Sequence, residues 1–136
     1  MSKIMERSHE LRAITERHYN CAQAVFVPFA EVEGMDHELA YRLALNFGGG
    51  LKNAATCGAI VGGLMVLGLY GLDDPATVKG FYNRMSENHN GMLTCKELLG
   101  AWFAAGNTAK KPHCDGMVYE VVALCEEILK EKGKID

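Results

Sequence analysis

The stretch Cys57–Leu72 carries no charged residue and ends at Asp73-Asp74. Wound as a helix over about 57–70, it is apolar on every side, with no polar face to give to water. Such a helix is stable only when other elements pack around it. Gly58, Gly62 and Gly63 leave it one thin side. A glycine costs a helix about 1 kcal/mol relative to alanine. Three of them imply another backbone, or a ligand, close against that side. The run falls short of the ~20 residues a membrane-spanning helix needs. It is therefore expected to be the central buried helix of a helical protein.

The rest of the chain supplies helices to surround it. No stretch alternates with a period of two without a better helical reading, and glycine, proline and capping residues divide the sequence. A first segment, about 2–18, places Ile4, Leu11, Ile14 and His18 on one stripe. A second starts at Asn20 and runs to Gly34, with Pro28 expected to kink it or end its regular part. A third is capped by Asp36 and spaces Leu39, Leu43 and Phe47 four residues apart before Gly48-Gly49-Gly50. Asp74-Pro75 opens a fifth, after the buried segment, which Gly91 ends. Thr94-Cys95-Lys96-Glu97 has the form of a capping box and opens a sixth, expected to be short or broken at Gly100. After a loop at 106–113, the last segment, about 115–132, puts Val118, Val121, Val122, Cys125, Ile128 and Leu129 on one wide face. The expected fold is all-α: a single domain, residues 1–136, of six or seven helices around a glycine-containing apolar helix.

The charge balance narrows the function. The net charge is −3 and no Lys/Arg run occurs, so nucleic acid is not an expected partner. Met1–Arg17 is studded with charge, unlike a secretory leader. The reading is of a cytoplasmic protein, in which five cysteines would not form a structural disulfide framework.

Four of those cysteines adjoin helix-start signals. Asn20 precedes Cys21, Thr56 precedes Cys57, Thr94 precedes Cys95, and Asp115 follows Cys114. Cys21, Cys57 and Cys95 are thus expected in the first turns of three helices, and Cys114 just outside a fourth. A helix N-terminus carries about half a positive charge, which favours the thiolate, the form that attacks disulfides and binds metals. The spacings of 36, 38 and 19 residues exclude C-x-x-C redox pairs, zinc ribbons, covalent haem and ferredoxin patterns. A common site must come from tertiary folding. Cys125 lies mid-helix among Val121, Val122 and Leu124 and is assigned to the core. Gly49 and Gly50, in the loop before Cys57, and Gly58 are the candidate backbone contacts to a cofactor. The loop lacks the glycine and Ser/Thr positions of the phosphate-binding patterns. His113 adjoins Cys114 as a candidate donor or substitute ligand, against the plainer reading of a solvated loop histidine. His89 is placed at a helix C-terminus. No Ser/His/Asp set is readable.

Asn20-Cys21-Ala22-Gln23, Gly48-Gly49-Gly50, Cys57-Gly58-Ala59-Ile60-Val61-Gly62, Cys95-Lys96-Glu97-Leu98-Leu99-Gly100 and Cys114 follow in that order. The set resembles the C_GCAxxG_C_C family of redox-active proteins over nearly the whole chain after about residue 10. The resemblance implies that the family's four cysteines correspond to Cys21, Cys57, Cys95 and Cys114. A similar domain accompanies split-Soret cytochromes, where four cysteines are assigned to an iron–sulfur centre. Their haem-binding motifs are missing here, so only the sulfur site is implied, and Cys125 is additional to the pattern. Three functions stand open at this point. The four cysteines could hold an iron–sulfur cluster or zinc for electron transfer. They could cycle between dithiol and disulfide without metal. Or they could be buried residues of a non-catalytic helical scaffold. A redox partner protein or a small thiol is the expected partner, with a homo-oligomer also open.

Overall fold

The computed structural model describes residues 1–136. It is all-α, with seven helices: α1 (Lys3–Ala13), α2 (Cys21–Val32), α3 (His37–Ala44), α4 (Gly58–Leu69), α5 (Pro75–Asn88), α6 (Cys95–Ala104) and α7 (Lys111–Glu131). Between α3 and α4 lie a tight turn at Leu45–Phe47 and an irregular segment at Gly50–Ala54. The only β pairing is an isolated antiparallel bridge between Thr56 and Thr94. No helix is long and apolar enough to cross a membrane.

Local chemistry starts each of the early helices. Asn20 accepts from the Gln23 N–H at 2.9 Å while Gln23 Oε1 accepts from the Asn20 N–H at 2.8 Å. This reciprocal pair satisfies donors that a bare helix end would leave open. The amide nitrogens of the same two side chains donate outward, Gln23 to the Tyr41 carbonyl and Asn20 to the Leu45 carbonyl, which ties the start of α2 to α3 and the turn after it. Asp36, Asp74 and Thr94 cap α3, α5 and α6 as read from the sequence.

Helix α2 packs against α1, α3, α4 and α7, and every residue from Ala22 to Ala30 is buried. Pro28 neither ends nor breaks it. Proline cannot donate to the carbonyl four residues earlier, which here belongs to Ala24. The buried Ser8 hydroxyl of α1 donates to that carbonyl at 2.9 Å instead. Helix α4 buries Gly58–Ile60, Gly62, Gly63, Val66 and Leu67 and half-buries Val61, Leu64 and Met65. The side of Gly62 meets α2: a Cβ there would lie 2.9 Å from the Ala22 carbonyl oxygen and 3.0 Å from Val25 Cβ. Gly63 faces Phe81 and Val121 as tightly. The expected face of α7 is buried in full, Cys125 included.

Four local expectations need correction. Helix α1 ends at Ala13, which leaves Ile14 and His18 outside it. In α3 the residues turned inward are Ala40 and Ala44, while Leu39 and Leu43 are 41% and 47% exposed; alanines let the helix lie close to its neighbours. Helix α6 runs unbroken through Gly100, which has no neighbour within 4 Å of where a Cβ would stand. Helix α7 begins within the expected loop, at Lys111, with Pro112 in its first turn, where a missing N–H costs nothing.

Candidate functional site

Cys21 is the first residue of α2, Cys95 the first of α6, and Cys57 the cap position before α4. Cys114 lies inside the first turn of α7 rather than outside it, and Asp115 accepts from Arg12 instead of capping. The folded chain brings all four together. Cys21, Cys57, Cys95 and Cys114 line one cavity, with Gly58, Leu99, His113 and Met117 completing its wall. The space is about 10 Å3, near the least that holds one water. Cys125 is elsewhere, in the core, with its thiol 3.8 Å from the Gly63 carbonyl.

Backbone pairing sets the positions of two of them. At the Thr56–Thr94 bridge, the Cys57 N–H donates to the Leu93 carbonyl at 2.8 Å and the Cys95 N–H to the Ala55 carbonyl at 2.7 Å. Each cysteine follows directly on a bridged threonine, so the two are fixed relative to one another before their helices begin. Thr56 therefore belongs to an isolated bridge and does not cap α4.

The chain reaches this bridge through an unusual turn. Gly49, Gly50, Leu51 and Lys52 all have left-handed backbone angles, and Ala54 has φ 52°. Glycine adopts these freely, whereas Leu51, Lys52 and Ala54 each do so at a cost of roughly 1–2 kcal/mol. Gly50 could be nothing else: a Cβ would come within 2.7 Å of the Ala55 backbone and 2.8 Å of Cys95 Cβ. Gly58 is similarly constrained, by the Phe47 carbonyl at 2.9 Å and the Cys21 sulfur at 3.1 Å. Gly50 and Gly58 thus let backbone approach Cys95 and Cys21 closely. Lys52 is exposed, so Lys52→Gly should remove its strain and raise stability by up to about 1 kcal/mol. A thermal melt that shifts down would show that the left-handed turn is not strained at this position.

The four sulfurs are not equivalent. Cys21 is held far below the ordinary thiol range, at about 5; the adjacent Cys114 thiol is the main cause, opposed by burial and helped by the Gly49 N–H and the Arg12 charge. Cys114 is pushed up, first by its place beside Cys21 and then by burial. The two opposite shifts belong to the pair, in which one thiolate is favoured beside one thiol, with the lowering on Cys21. Cys57 moves the other way, up to about 11, because burial outweighs the nearby amides of Ile60 and Ala59. Cys95 is raised by burial, with Lys110 pulling it back. A helix start alone does not activate a thiol: of the four, only the one with a thiol donor and an arginine beside it is acidic.

Arg12 was not legible as part of this site. Its side chain is 8% exposed, and its guanidinium donates through Nε to Asp115 at 2.6 Å and through one Nη to the Tyr19 carbonyl at 2.7 Å. These bonds join the end of α1 to the start of α7 and to the residues entering α2. Leu99 and Met117 were also missed, and His113 proves to line the cavity, with its pKa lowered by burial. His89 is the C-cap of α5, as expected, and its ring also lies 2.9 Å from a carboxylate oxygen of Glu120 on α7.

A family model described as "Putative redox-active protein (C_GCAxxG_C_C)" matches residues 19–128. The span opens at the entry to α2 and holds all four cavity cysteines. The chain belongs to the C_GCAxxG_C_C family. Within the matched span, residues 57–62 read C-G-A-I-V-G, where the family name prints G-C-A-x-x-G. No curated protein and no solved structure matches the chain.

Proposed function

We propose that this C_GCAxxG_C_C protein is a thiol redox protein in which Cys21 and Cys114 form the exchanging pair. The observation that carries the reading is that Cys21 and Cys114 share the wall of the cavity, and Cys114 is the main cause of the lowered pKa of Cys21. A nucleophilic thiolate and a neighbouring thiol are what exchange with a disulfide requires. The Cys21 thiolate attacks one sulfur of a disulfide R–S–S–R, and RS⁻ leaves. Cys114 then passes its proton to the departing RS⁻ and attacks the Cys21 sulfur, releasing the second RS⁻. Two electrons pass to R–S–S–R and the protein is left with a Cys21–Cys114 disulfide. The test is redox titration of the reduced, metal-free protein, with one two-electron couple expected that disappears in Cys21→Ser. A couple unaffected by that substitution would contradict the assignment.

A second reading is favoured by the number of cysteines, since simple exchange leaves Cys57 and Cys95 without a part. Four cysteines match the ligand set of an iron–sulfur cluster. No three cysteine, histidine or acidic side chains are grouped as ligands of one metal ion. That weighs against a four-cysteine zinc site, which gathers every thiolate on one ion. It weighs less against a cluster, whose cysteines are shared among several irons. The thiol set fits a cluster in kind, and a space of one water must open to admit it. Cys21, Cys57, Cys95 and Cys114 would hold it, and it would supply one-electron transfer. Anaerobic reconstitution with iron and sulfide distinguishes the readings. A stable visible chromophore with matching iron and sulfide, lost on Cys57→Ser, favours the cluster.

A further inference from the structure

Beside the sulfur cavity lies a recess of about 540 Å3 between the end of α1, the start of α2 and the start of α7. That volume is in the range of small-molecule sites. Cys21 and Cys114 form part of its wall, and Cys57 and Cys95 do not. The exchanging pair therefore faces two ways, inward to the cavity and outward to the recess.

The recess is cationic. Arg12, Lys110 and Lys111 line it and no carboxylate does. Asp115, just outside, offsets part of this charge by accepting from Arg12 Nε and, at 3.3 Å, from Lys111 Nζ. Three positive charges against one negative leave an excess. The geometry of Arg12 is more specific. Its side chain is more than nine-tenths buried, two of its nitrogens are engaged by Asp115 and Tyr19, and the third makes no hydrogen bond within the protein. A guanidinium nitrogen left free at a pocket wall is suited to an anion.

We propose that the recess seats a small disulfide or thiol bearing a carboxylate, with the carboxylate held by Arg12, Lys110 and Lys111 and the sulfur presented to Cys21. This rests on the thiol-exchange reading and names the substrate class for it. The exchange itself is the step given above, with R carrying the anionic group.

Two disulfides make the test, applied to the reduced, metal-free protein. Dithiodiglycolate carries two carboxylates, and bis(2-hydroxyethyl) disulfide carries none. Oxidation of Cys21 and Cys114 is followed by mass spectrometry, with a cysteine-containing peptide as the reference thiol. Relative to the peptide, the protein should favour the anionic reagent by about tenfold or more, the size of a focused electrostatic effect. Added salt should reduce that preference. The double variant Lys110→Gln/Lys111→Gln, at two exposed residues, should lose most of the preference. A preference equal to the peptide's, or one unchanged in the double variant, overturns the recess proposal and leaves the exchange reading intact. If neither disulfide oxidises the pair, the exchange reading fails and the recess proposal with it.

Discussion

In the Cys114→Ala protein, the pH for half-maximal alkylation of Cys21 should rise from about 5 toward the ordinary thiol value of 9.0. Removing the neighbouring thiol removes the largest influence on the Cys21 thiolate, while burial continues to oppose it. At pH 6 the loss of thiolate should slow alkylation by about tenfold or more. Cys114→Ser should keep part of the effect, because a hydroxyl still donates. Stability should follow the same ionisation. The folded pKa of Cys21 lies below its unfolded value, so its contribution is complete above about pH 9 and is lost as pH falls through about 5. Denaturant melts of the reduced protein should therefore show stability rising across that window, and Cys21→Ala should flatten the rise. Cys57 contributes with the opposite sign, at higher pH, since its pKa is raised to about 11. A Cys114→Ala profile that overlays the parent would show that Cys21 is acidic for another reason, or is not acidic.

The largest loss of stability is expected from Gly62→Leu. Leucine has the better helix propensity, by up to about 1 kcal/mol. At this position, however, even a Cβ would stand 2.9 Å from the Ala22 carbonyl oxygen and 3.1 Å from Ala22 Cα. Those are backbone atoms of α2 and cannot rotate away. Separating α4 from α2 should cost about 3 kcal/mol or more, at the upper end of overpacking. It should also disturb the sulfur cavity, because Cys21 and Cys57 sit at the starts of these two helices. Gly68→Ala is the control: the position is exposed and no atom lies within 4 Å of its Cβ direction, so it should stabilise by about 1 kcal/mol. If both variants were stabilised, Gly62 would have no packing role.

Where the fold was legible in the sequence, its determinants were local. Asn20, Asp36, Asp74 and Thr94 cap helices because each side chain meets an N–H three residues on, a relation that spacing alone reveals. The wide apolar face of α7 was legible for the same reason. What could not be read depends on partners distant in sequence. Pro28 stays within α2 only because Ser8, on another helix, donates to the carbonyl it cannot serve. Leu39 and Leu43 lie outward because two alanines, not the larger residues, meet the neighbouring helix. At the site, cap-adjacent cysteines identified the four residues that line the cavity, but not their electrostatics. Arg12 and Asp115 are more than a hundred positions apart, and no local pattern announces their pairing. The high pKa of Cys57 follows from burial, which overrides the helix-start field on which the sequence argument relied, whereas the acidity of Cys21 runs in the direction of that field and follows chiefly from its neighbour Cys114.

The central claim, that Cys21 and Cys114 are the exchanging pair, is tested most directly by mapping the first disulfide formed. The reduced, metal-free protein is oxidised with a limiting amount of a small disulfide at pH 7, quenched in acid, and digested for mass spectrometry. The account predicts that the Cys21–Cys114 peptide pair appears first and is restored to dithiol by a reductant, while Cys57, Cys95 and the core residue Cys125 stay reduced. A first disulfide that joins Cys57 to Cys95, or one that includes Cys125, would contradict it.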